Sequence, residues 1–342
     1  MENKQLPDFI SFLLQPDTYV PRSSEVKLVQ THISYVFITD NFVYKFKKPV
    51  DFGFLDFTSL AKRHHFCQQE LLLNRRLCPS IYLDLVALLK SGSSFSLVSP
   101  AQAETEHIIE YGIKMKRMPE EQMMANVIKS GRLAPDNIDS ICDALIPFYA
   151  EADTDDRIRD FGRPEAVSVN IFENFSQTEA FIGGPSLSKN QFERIKRFSS
   201  AFLQQGKLFA ARISAGRIRD CHGDLYSANI CLADQVYIFD CIEFNERFRY
   251  CDVASDIAFL AMDLDYHGLS NLSERFVARF IEKSGDTGLK VMLNFYKCYR
   301  AYVRGKINLF TANAPEVDGK TKLQCQEMAG KYFQLAERYA SE

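Results

Sequence analysis

The sequence predicts an α+β fold with two lobes, a small antiparallel sheet followed by a mainly helical part. The chain has 342 residues, which is long enough for two hydrophobic cores. Alternating β-type patterns dominate up to about residue 116, and helical patterns dominate after Met118. A short segment with hairpin character interrupts the helical part. We therefore predict an N-terminal lobe over residues 1–118 and a C-terminal lobe over residues 119–342.

The composition is that of an ordinary soluble protein without a charged tail. The net charge is −3, and acids and bases are spread along the chain, so charge alone gives no attraction to nucleic acid or membrane. The N-terminal segment lacks the pattern of a secretory signal, and the longest apolar stretch, Ile257–Met262, is too short to span a bilayer. The nine cysteines form no CxxC pair, which favours reduced thiols in a cytoplasm. We expect a cytoplasmic protein without a nucleic-acid or membrane partner.

The predicted elements of the first lobe follow in chain order. Residues 7–15 can form a short helix, and the alternation from Val26 to Lys47 predicts strands separated by turns. Thr58 or Ser59 caps a helix that runs to about Leu77. Further strands are predicted near Ile81–Lys90, Ser94–Val98 and Ile108–Lys116.

The second lobe is predicted to be helical around one hairpin. Loops are expected at Asp153–Pro164 and Gly183–Pro185. Gly319, Lys320 and Thr321 imitate the end of a P-loop, but no strand precedes them, so we expect an exposed turn there. Helices are predicted at about 119–130, 137–150, 188–214, 253–264, 271–283, 291–310 and 323–340.

The segment Cys221–Phe244 carries the residues with the clearest chemical meaning. It contains Asp224, Asn229 five positions later, and Asp240. Phosphoryl transfer needs one carboxylate facing the acceptor hydroxyl, and an amide with a second carboxylate that hold Mg²⁺. Asp224 is suited to the first role, and Asn229 and Asp240 to the second.

A β-hairpin is predicted between these two metal-binding residues. Ile230 and Leu232 can pair with Ile238 and Val236 around a turn of three residues, Ala233 to Gln235. This register would bring Asn229 and Asp240 together.

The pattern of His222, Asp224, Asn229 and Asp240 resembles the catalytic and metal-binding loops of the protein-kinase-like superfamily. Gly223 stands where regulated protein kinases carry an arginine, and Asp252 follows Asp240 by only twelve positions. The HGD triplet and the later run DVASDIAFL resemble the aminoglycoside phosphotransferase and fructosamine kinase branch. The resemblance extends from about Gln30 to Phe310. It is closest to the kinase-like half of bacterial proteins in which such a domain precedes a P-loop ATPase domain.

The resemblance implies a bilobal protein-kinase-like (aminoglycoside phosphotransferase-like) fold that uses ATP or GTP with Mg²⁺. It also implies that Met115, Lys116 and Met118 lie in the hinge that binds the nucleotide base through its backbone. His222 would pack against the metal-binding loop, and Asp256 would accept hydrogen bonds from the catalytic-loop backbone. The glycine in place of the arginine predicts that no activation-loop phosphate controls the site.

Lys45 and Glu70 are the predicted phosphate clamp. In FVYKFKK, Lys45 and Lys47 point to the same face of a strand, and Lys45 is preferred because Val43 would then cover adenine. Lys47 is the alternative. Glu70 is the only acid between Thr58 and Leu83, on a helix that is otherwise basic or apolar.

The sequence has no glycine-rich phosphate loop. Residues Thr31 to Ser34 occupy that position between the first strands, and their hydroxyls and backbone amides are candidates for the same task. Glu243, three positions after Asp240, is a candidate for a second metal or water, or simply a solvated residue.

A basic helix gives the one indication of the acceptor. Lys297, Arg300 and Arg304 lie on adjoining positions beside Tyr299 and Tyr302, which favours an anionic acceptor bound by Arg300 and Arg304. An ordinary basic outer face is the alternative.

The leading hypothesis is a Mg²⁺-dependent phosphotransferase that moves the γ-phosphoryl group of ATP or GTP to a hydroxyl of a small cytoplasmic molecule. The alternative is a nucleotide-responsive regulatory or interaction module that works with a separately encoded P-loop ATPase partner. A protein-directed kinase is a weaker hypothesis because no activation segment is evident.

Overall fold

The computed structural model describes residues 6–315 and 317–341, which form two compact units. The first unit extends from the N-terminal side to Gln122 and also includes Tyr237–Asn245. The second unit contains Met123–Val236 and the chain from Glu246 onward. A six-stranded sheet in the first unit and a mainly helical second unit confirm the predicted α+β fold class.

The first unit is built on an antiparallel sheet with the strand order β1-β2-β3-β6-β4-β5. All of its strand pairs are antiparallel. The strands are β1 (Lys27–Gln30), β2 (Ser34–Ile38), β3 (Phe42–Lys47), β4 (Tyr82–Ser91), β5 (Ser94–Val98) and β6 (Ile108–Lys116). Two helices accompany them, α1 (Asp8–Leu13) and α2 (Leu60–Asn74).

Strand β3 separates an apolar face from a charged face. Tyr44 and Phe46 are almost fully buried in a core that also contains Phe37 and Leu88. Because successive side chains alternate across a strand, the lysine at position 45 points to the other face. Register pairs it with Val36 on β2 and Ile113 on β6, which places it in the middle of the sheet.

Helix α2 begins where the sequence predicted. The Ser59 hydroxyl accepts a hydrogen bond from Lys62 N at 3.2 Å and so caps the first turn. Glu70, one turn before the end of the helix, has no exposed surface.

The second unit consists mainly of helices. They are α3 (Met124–Lys129), α4 (Pro135–Glu151), α5 (Asp156–Asp160), α6 (Pro164–Thr178), α7 (Lys189–Leu203), α8 (Gly206–Ser214), α9 (Glu246–Arg249), α10 (Val253–Tyr266), α11 (Ser270–Ser284), α12 (Leu289–Ala312) and α13 (Gly319–Tyr339). Among the residues that the structure describes, no helix is both long enough and apolar enough to cross a membrane.

Several helical assignments differ from the sequence prediction, and the short helices α5 and α9 lie where no helix was predicted. Helix α6 was not predicted, although Pro164 at its first position and the buried Ile171 and Phe175, four positions apart, are signals for it. The predicted helix 188–214 is two helices that break around Gln205. The predicted exposed turn at Gly319 is wrong, because Asp318 caps the backbone of Lys320 and Thr321 and starts α13 there.

The segment with the candidate catalytic residues lies between short strands. β7 (Ile218–Asp220) pairs antiparallel with β10 (Tyr250–Asp252), and the chain then runs to β8 (Ile230–Leu232) and β9 (Val236–Ile238). Ala233 N donates to Gln235 O at 3.2 Å between these last two strands, at the predicted turn.

Candidate active site

A buried carboxylate fixes the backbone of the HGD segment. Asp256, on α10, has no exposed surface and accepts hydrogen bonds from His222 N at 2.7 Å and Gly223 N at 3.0 Å. This is the capping arrangement that the resemblance implied. Gly223 has a φ of +86°, a conformation that a side chain such as arginine would strain. The glycine is therefore explained by the backbone of the loop itself.

Arg300, on α12, holds the same segment from the other side. Its Nη1 donates to Gly223 O at 2.9 Å, its Nε donates to Ser255 O at 3.3 Å, and its Nη2 lies 3.4 Å from Asp256 Oδ1. Only 5% of the residue is exposed. These contacts give Arg300 a role in positioning the HGD segment, and they do not support the prediction that it binds the acceptor.

Asp224 and Asn229 are hydrogen bonded to each other. Asn229 Nδ2 donates to Asp224 Oδ2 at 2.9 Å and to Asp224 O at 3.0 Å. His222 is fully buried, and its Nδ1 accepts a hydrogen bond from Asp224 N at 3.2 Å. His222 is thus a packing residue of the loop, whereas Asp224 remains partly exposed.

The predicted clamp residues meet inside the first unit. Lys45 Nζ lies 2.8 Å from Glu70 Oε1 and donates a hydrogen bond to Asp240 Oδ1 at 2.6 Å. The Lys45 side chain is 14% exposed and that of Asp240 is 45% exposed, so this end of the cluster is open to solvent.

A second lysine extends the cluster into the interior. Lys47 Nζ lies 2.7 Å from Glu70 Oε2 and also binds Glu243, and Lys47 is only 2% exposed. Glu243 is neither solvated nor placed for a second metal as the sequence suggested, because it neutralises Lys47. Five residues, Asp240, Lys45, Glu70, Lys47 and Glu243, therefore form one chain of ion pairs.

The charges of Glu70, Lys45 and Lys47 support one another, whereas burial raises the pKa of Glu243 despite the nearby Lys47. Burial opposes ionisation, but Lys45 and Lys47 outweigh it and lower the pKa of Glu70 to about 2. Burial lowers the pKa of a lysine, but nearby carboxylates outweigh it at both positions. Asp240 and Glu70 raise the pKa of Lys45, and Glu243 and Glu70 raise the pKa of Lys47. Glu70 and both lysines are therefore charged at neutral pH.

The backbone around Asp240 has an unusual conformation. Asp240 is the only non-glycine with a positive φ, at 62°, among the residues that the structure describes. Its N–H points to the Tyr82 hydroxyl at 3.3 Å, and Cys241 N donates to Asn74 Oδ1 at 2.9 Å. These contacts hold the carboxylate beside Lys45.

The two predicted metal ligands each offer an oxygen of the kind that Mg²⁺ prefers. The amide nitrogen of Asn229 is committed to Asp224, and no described residue donates a hydrogen bond to its Oδ1. Asp240 uses Oδ1 for Lys45, which leaves Oδ2 of a half-exposed carboxylate. Hard amide and carboxylate oxygens suit a hard divalent cation. The donor types therefore fit the implied metal.

The predicted hinge is the end of β6. Met115 pairs in the sheet with Val43, and Lys116 N donates to Ile81 O at 2.8 Å. Arg117 N donates to Asn41 O, also at 2.8 Å. Since these amides serve the sheet, Met118, just beyond the strand, is the predicted hinge residue best placed to offer its N–H to a ligand.

The turn in place of a glycine-rich loop is closed on itself. The Thr31 hydroxyl accepts hydrogen bonds from Ile33 N at 3.2 Å and Ser34 N at 2.9 Å. The expectation that these amides are available for phosphates is therefore not supported by the structure.

Arg304 differs from Arg300, one turn earlier on the same helix. Its guanidinium carbon lies 4.6 Å from the ring centroid of Tyr226, and its Nε is buried without a hydrogen-bond partner among the described residues. Neither Arg300 nor Arg304 belongs to a solvated basic face. Lys297, the third cation of the predicted patch, is also buried and pairs with Asp265 at 2.8 Å.

The chain is similar in sequence to proteins of two mycobacteria. No family model matches the sequence. The chain is 31% identical over 291 residues to uncharacterized proteins of Mycobacterium tuberculosis and Mycobacterium bovis, which covers 84% of this chain and 56% of theirs. The chain thus spans about half the length of these curated relatives.

Among solved structures, an amicoumacin kinase in complex with AMP-PNP, Ca²⁺ and Ami superposes with a TM-score of 0.56. It is 11% identical in sequence, and the match covers 97% of this chain and 93% of that one. A choline/ethanolamine kinase family protein from Mesorhizobium loti matches with a TM-score of 0.48 and 11% identity, over 92% of this chain and 93% of that one. The first similarity shows that the chain has the protein-kinase-like fold of that kinase, as the sequence predicted.

Proposed function

We propose that the protein is a phosphotransferase that moves the γ-phosphoryl group of a nucleoside triphosphate to a hydroxyl group of a small cytoplasmic molecule. In this proposal Asp224 acts on the acceptor hydroxyl, Lys45 binds the nucleotide phosphates, and Glu70 holds Lys45 in place. Asn229 and Asp240 supply the metal ligands. The amicoumacin kinase with the same fold is in complex with AMP-PNP and Ca²⁺, which supports a nucleotide and a divalent cation as ligands of this chain.

One observation carries the proposal: Asp224 and Asn229 are hydrogen bonded on a loop whose backbone is fixed by the buried Asp256. Positioning is the main contribution of a protein to phosphoryl transfer, because the reaction requires little covalent chemistry from the enzyme. Asp256 and Arg300 together hold the backbone of His222 and Gly223, the two residues directly before Asp224.

The residues of the chain have distinct tasks in this reaction. The Asp224 carboxylate, held by Asn229 through one oxygen, would orient the acceptor hydroxyl and receive its proton as the new phosphate ester bond forms. At the same time the bond from the γ-phosphorus to the bridging oxygen of the β-phosphate would break, and the nucleoside diphosphate would leave. The Lys45 ammonium would neutralise the inner phosphates, and Glu70 keeps it charged. When bound, Mg²⁺ supplies charge neutralisation for the phosphate oxygens.

The nucleotide base would bind at the end of β6. Because Lys116 N and Arg117 N already donate to backbone carbonyls, we assign the base-binding N–H to Met118. Met115 and Lys116 would contribute through the strand that positions it. ATP and GTP differ at the edge that such a hinge contacts, so direct competition between the two nucleotides distinguishes them.

ADP or GDP formation by the full chain, with MgATP or MgGTP and a panel of hydroxyl-bearing metabolites, tests the proposal. We expect an acceptor-dependent rate that is abolished by EDTA and lowered at least 100-fold in Asp224→Asn, with nucleotide affinity retained. Asp234→Asn is the matched control, because Asp234 is an exposed acid of the same segment and should leave the rate unchanged.

Two results would contradict the proposal. Full turnover in Asp224→Asn would remove the role of that residue. Nucleotide binding without phosphate transfer to any panel member would instead favour the alternative, a nucleotide-responsive module that works with a separate P-loop ATPase.

A further inference from the structure

Two arginines one helical turn apart have opposite environments. Every donor group of Arg300 that is described above faces an oxygen of the protein, and the residue is 5% exposed. For Arg304, in contrast, no carboxylate of a described residue lies within the 4 Å of an ion pair. Its buried Nε also has no hydrogen-bond partner among the residues that the structure describes.

Arg304 is the outer end of a stack that includes the catalytic loop. Its guanidinium lies over the ring of Tyr226, with 4.6 Å to the centroid. Tyr226 is parallel to Phe259, with 5.5 Å between ring centroids and 13° between planes, and Arg300 lies 4.8 Å from the Phe259 centroid. Tyr226 is only two positions after Asp224 in the chain. The stack therefore fixes Arg304 next to the segment that carries Asp224.

The surroundings of Arg304 keep it charged. Burial opposes its charge, but Tyr226, Tyr332 and Asp224 together raise the pKa of Arg304 above its ordinary value. The Tyr332 ring also lies near the guanidinium, 5.9 Å from its carbon to the ring centroid. A partly buried cation without a paired anion is costly, and that cost is relieved when an anion binds. The planar guanidinium also has the geometry to bind a phosphate or carboxylate through two parallel hydrogen bonds.

We propose that Arg304 binds an anionic group of the acceptor, so that the substrate class is a hydroxyl compound that also carries a phosphate or a carboxylate. This inference rests on the proposed function, because it takes Asp224 as the residue that faces the acceptor. Arg304 then sets acceptor specificity, while Arg300 positions the loop. A cationic acceptor would be repelled at this point.

Binding of inorganic phosphate in the absence of nucleotide tests the inference without requiring activity. Calorimetric titration should show phosphate binding to the wild-type chain that is weakened about 10- to 100-fold in Arg304→Gln. Arg304→Lys should retain part of the affinity, since lysine keeps the positive charge but lacks the planar guanidinium that forms two parallel hydrogen bonds. Arg197→Gln is the control, because Arg197 is an exposed arginine of the same unit and should bind phosphate as wild type does.

A further variant separates this site from the nucleotide site. If phosphate binds at the predicted clamp instead, its binding will be lost in Lys45→Met and retained in Arg304→Gln. That result would overturn the inference. Equal phosphate affinity in wild type and Arg304→Gln would do the same, and so would the absence of phosphate binding to the wild-type chain.

Matched acceptor pairs give the second test. ADP formation is compared for glycerol 3-phosphate with glycerol, glucose 6-phosphate with glucose, and glycerate with glycerol. We expect turnover with anionic members, and in Arg304→Gln a KM for that acceptor raised about 10- to 100-fold with kcat changed little. The first two pairs report on phosphate and the third on carboxylate.

The outcomes distinguish this inference from the proposed function. A neutral compound as the best acceptor, or a rise in KM for MgATP instead of the acceptor, would contradict the assignment of Arg304. Absence of ADP formation with every compound would count against the proposed function, whereas the phosphate titration would still decide whether Arg304 binds an anion.

Discussion

Lys47 Nζ lies 2.7 Å from one oxygen of Glu70, while Lys45 Nζ lies 2.8 Å from the other. One buried carboxylate thus holds both lysines that the sequence offered as candidates for the phosphate clamp. Their second partners differ, because Lys45 binds the half-exposed Asp240 and Lys47 binds the buried Glu243. This difference assigns the solvent-accessible end of the cluster to Lys45 and the interior end to Lys47.

We expect Lys45→Met and Lys47→Met to have opposite effects on binding and stability. Lys45→Met should weaken MgATP binding at least tenfold with little loss of stability, since Glu70 keeps Lys47. Lys47→Met should lower the free energy of unfolding by about 3–5 kcal/mol, because it leaves Glu243 buried without its cation. Urea unfolding and calorimetric titration of MgATP measure the two effects. If Lys47→Met is as stable as wild type, the structural role of Lys47 is wrong.

Asp256→Asn tests whether the buried carboxylate positions the catalytic loop. An amide nitrogen would replace one of the oxygens that accept from His222 N and Gly223 N. We expect kcat for phosphoryl transfer to fall about 100-fold, because small displacements of a reacting group have effects of this size. KM for MgATP should change little. A loss confined to stability, with kcat retained in the folded fraction, would show that Asp256 only supports the fold.

We expect the contribution of Lys306 to the free energy of unfolding to increase as the pH rises above 8. Its Nζ donates to the neutral side chains of Asn174 at 2.5 Å and Gln177 at 2.8 Å, and burial lowers its pKa to about 8. The unfolded chain therefore binds more protons than the native chain between pH 8 and the ordinary lysine pKa of 10.5. Stability contributed by this group rises with pH across that window.

The measurement is the difference in free energy of unfolding between wild type and Lys306→Gln, determined by urea titration from pH 7.5 to 10. We expect the difference to shift in favour of wild type by about 1–3 kcal/mol as pH rises. Lys207→Gln, at an exposed lysine, should show no such trend. A difference that is flat or falls with pH would refute the prediction.

Gly305→Ala tests the close packing of α12 against α13. A Cβ at this position would lie 2.8 Å from the Phe333 ring, which is fully buried and has no room to move away. Although alanine favours a helix by about 1 kcal/mol, we expect a net loss of about 1–3 kcal/mol from overpacking. Gly206→Ala, on α8, meets no atom within 4 Å and should be neutral or stabilising. Equal stabilities of the two variants in thermal unfolding would contradict the packing argument.

Local patterns in the sequence were sufficient to predict much of the fold. Alternation along β3 separated Lys45 from Tyr44 and Phe46, and the single acid of α2 was found paired with that lysine. Both features depend on one element with its own periodicity. The roles of these residues in nucleotide binding remain predictions.

The remaining features could not be predicted because they depend on contacts between residues that are far apart in the sequence. Spacing on α12 placed Arg300 and Arg304 together. Only the packing of α10 and the HGD loop determines that Arg300 hydrogen bonds to protein oxygens, whereas Arg304 Nε has no partner among the described residues. Glu243 could not be assigned to Lys47 because the two are 196 positions apart in the chain. Helix α6 was missed because its sequence is rich in β-branched residues, which weaken the helical signal.

The segment Tyr237–Asn245 belongs to the first unit, although the rest of that unit ends at Gln122. On the ribosome, Lys45 is therefore synthesised 195 residues before Asp240, and Lys47 is synthesised 196 residues before Glu243. In the nascent sheet Glu70 is the first carboxylate available to both lysines, and their second partners, Asp240 and Glu243, are made much later. A fragment that stops at Gln122 would keep Lys47 and Glu70 but lack Glu243, so we expect such a fragment to fold poorly when it is produced alone.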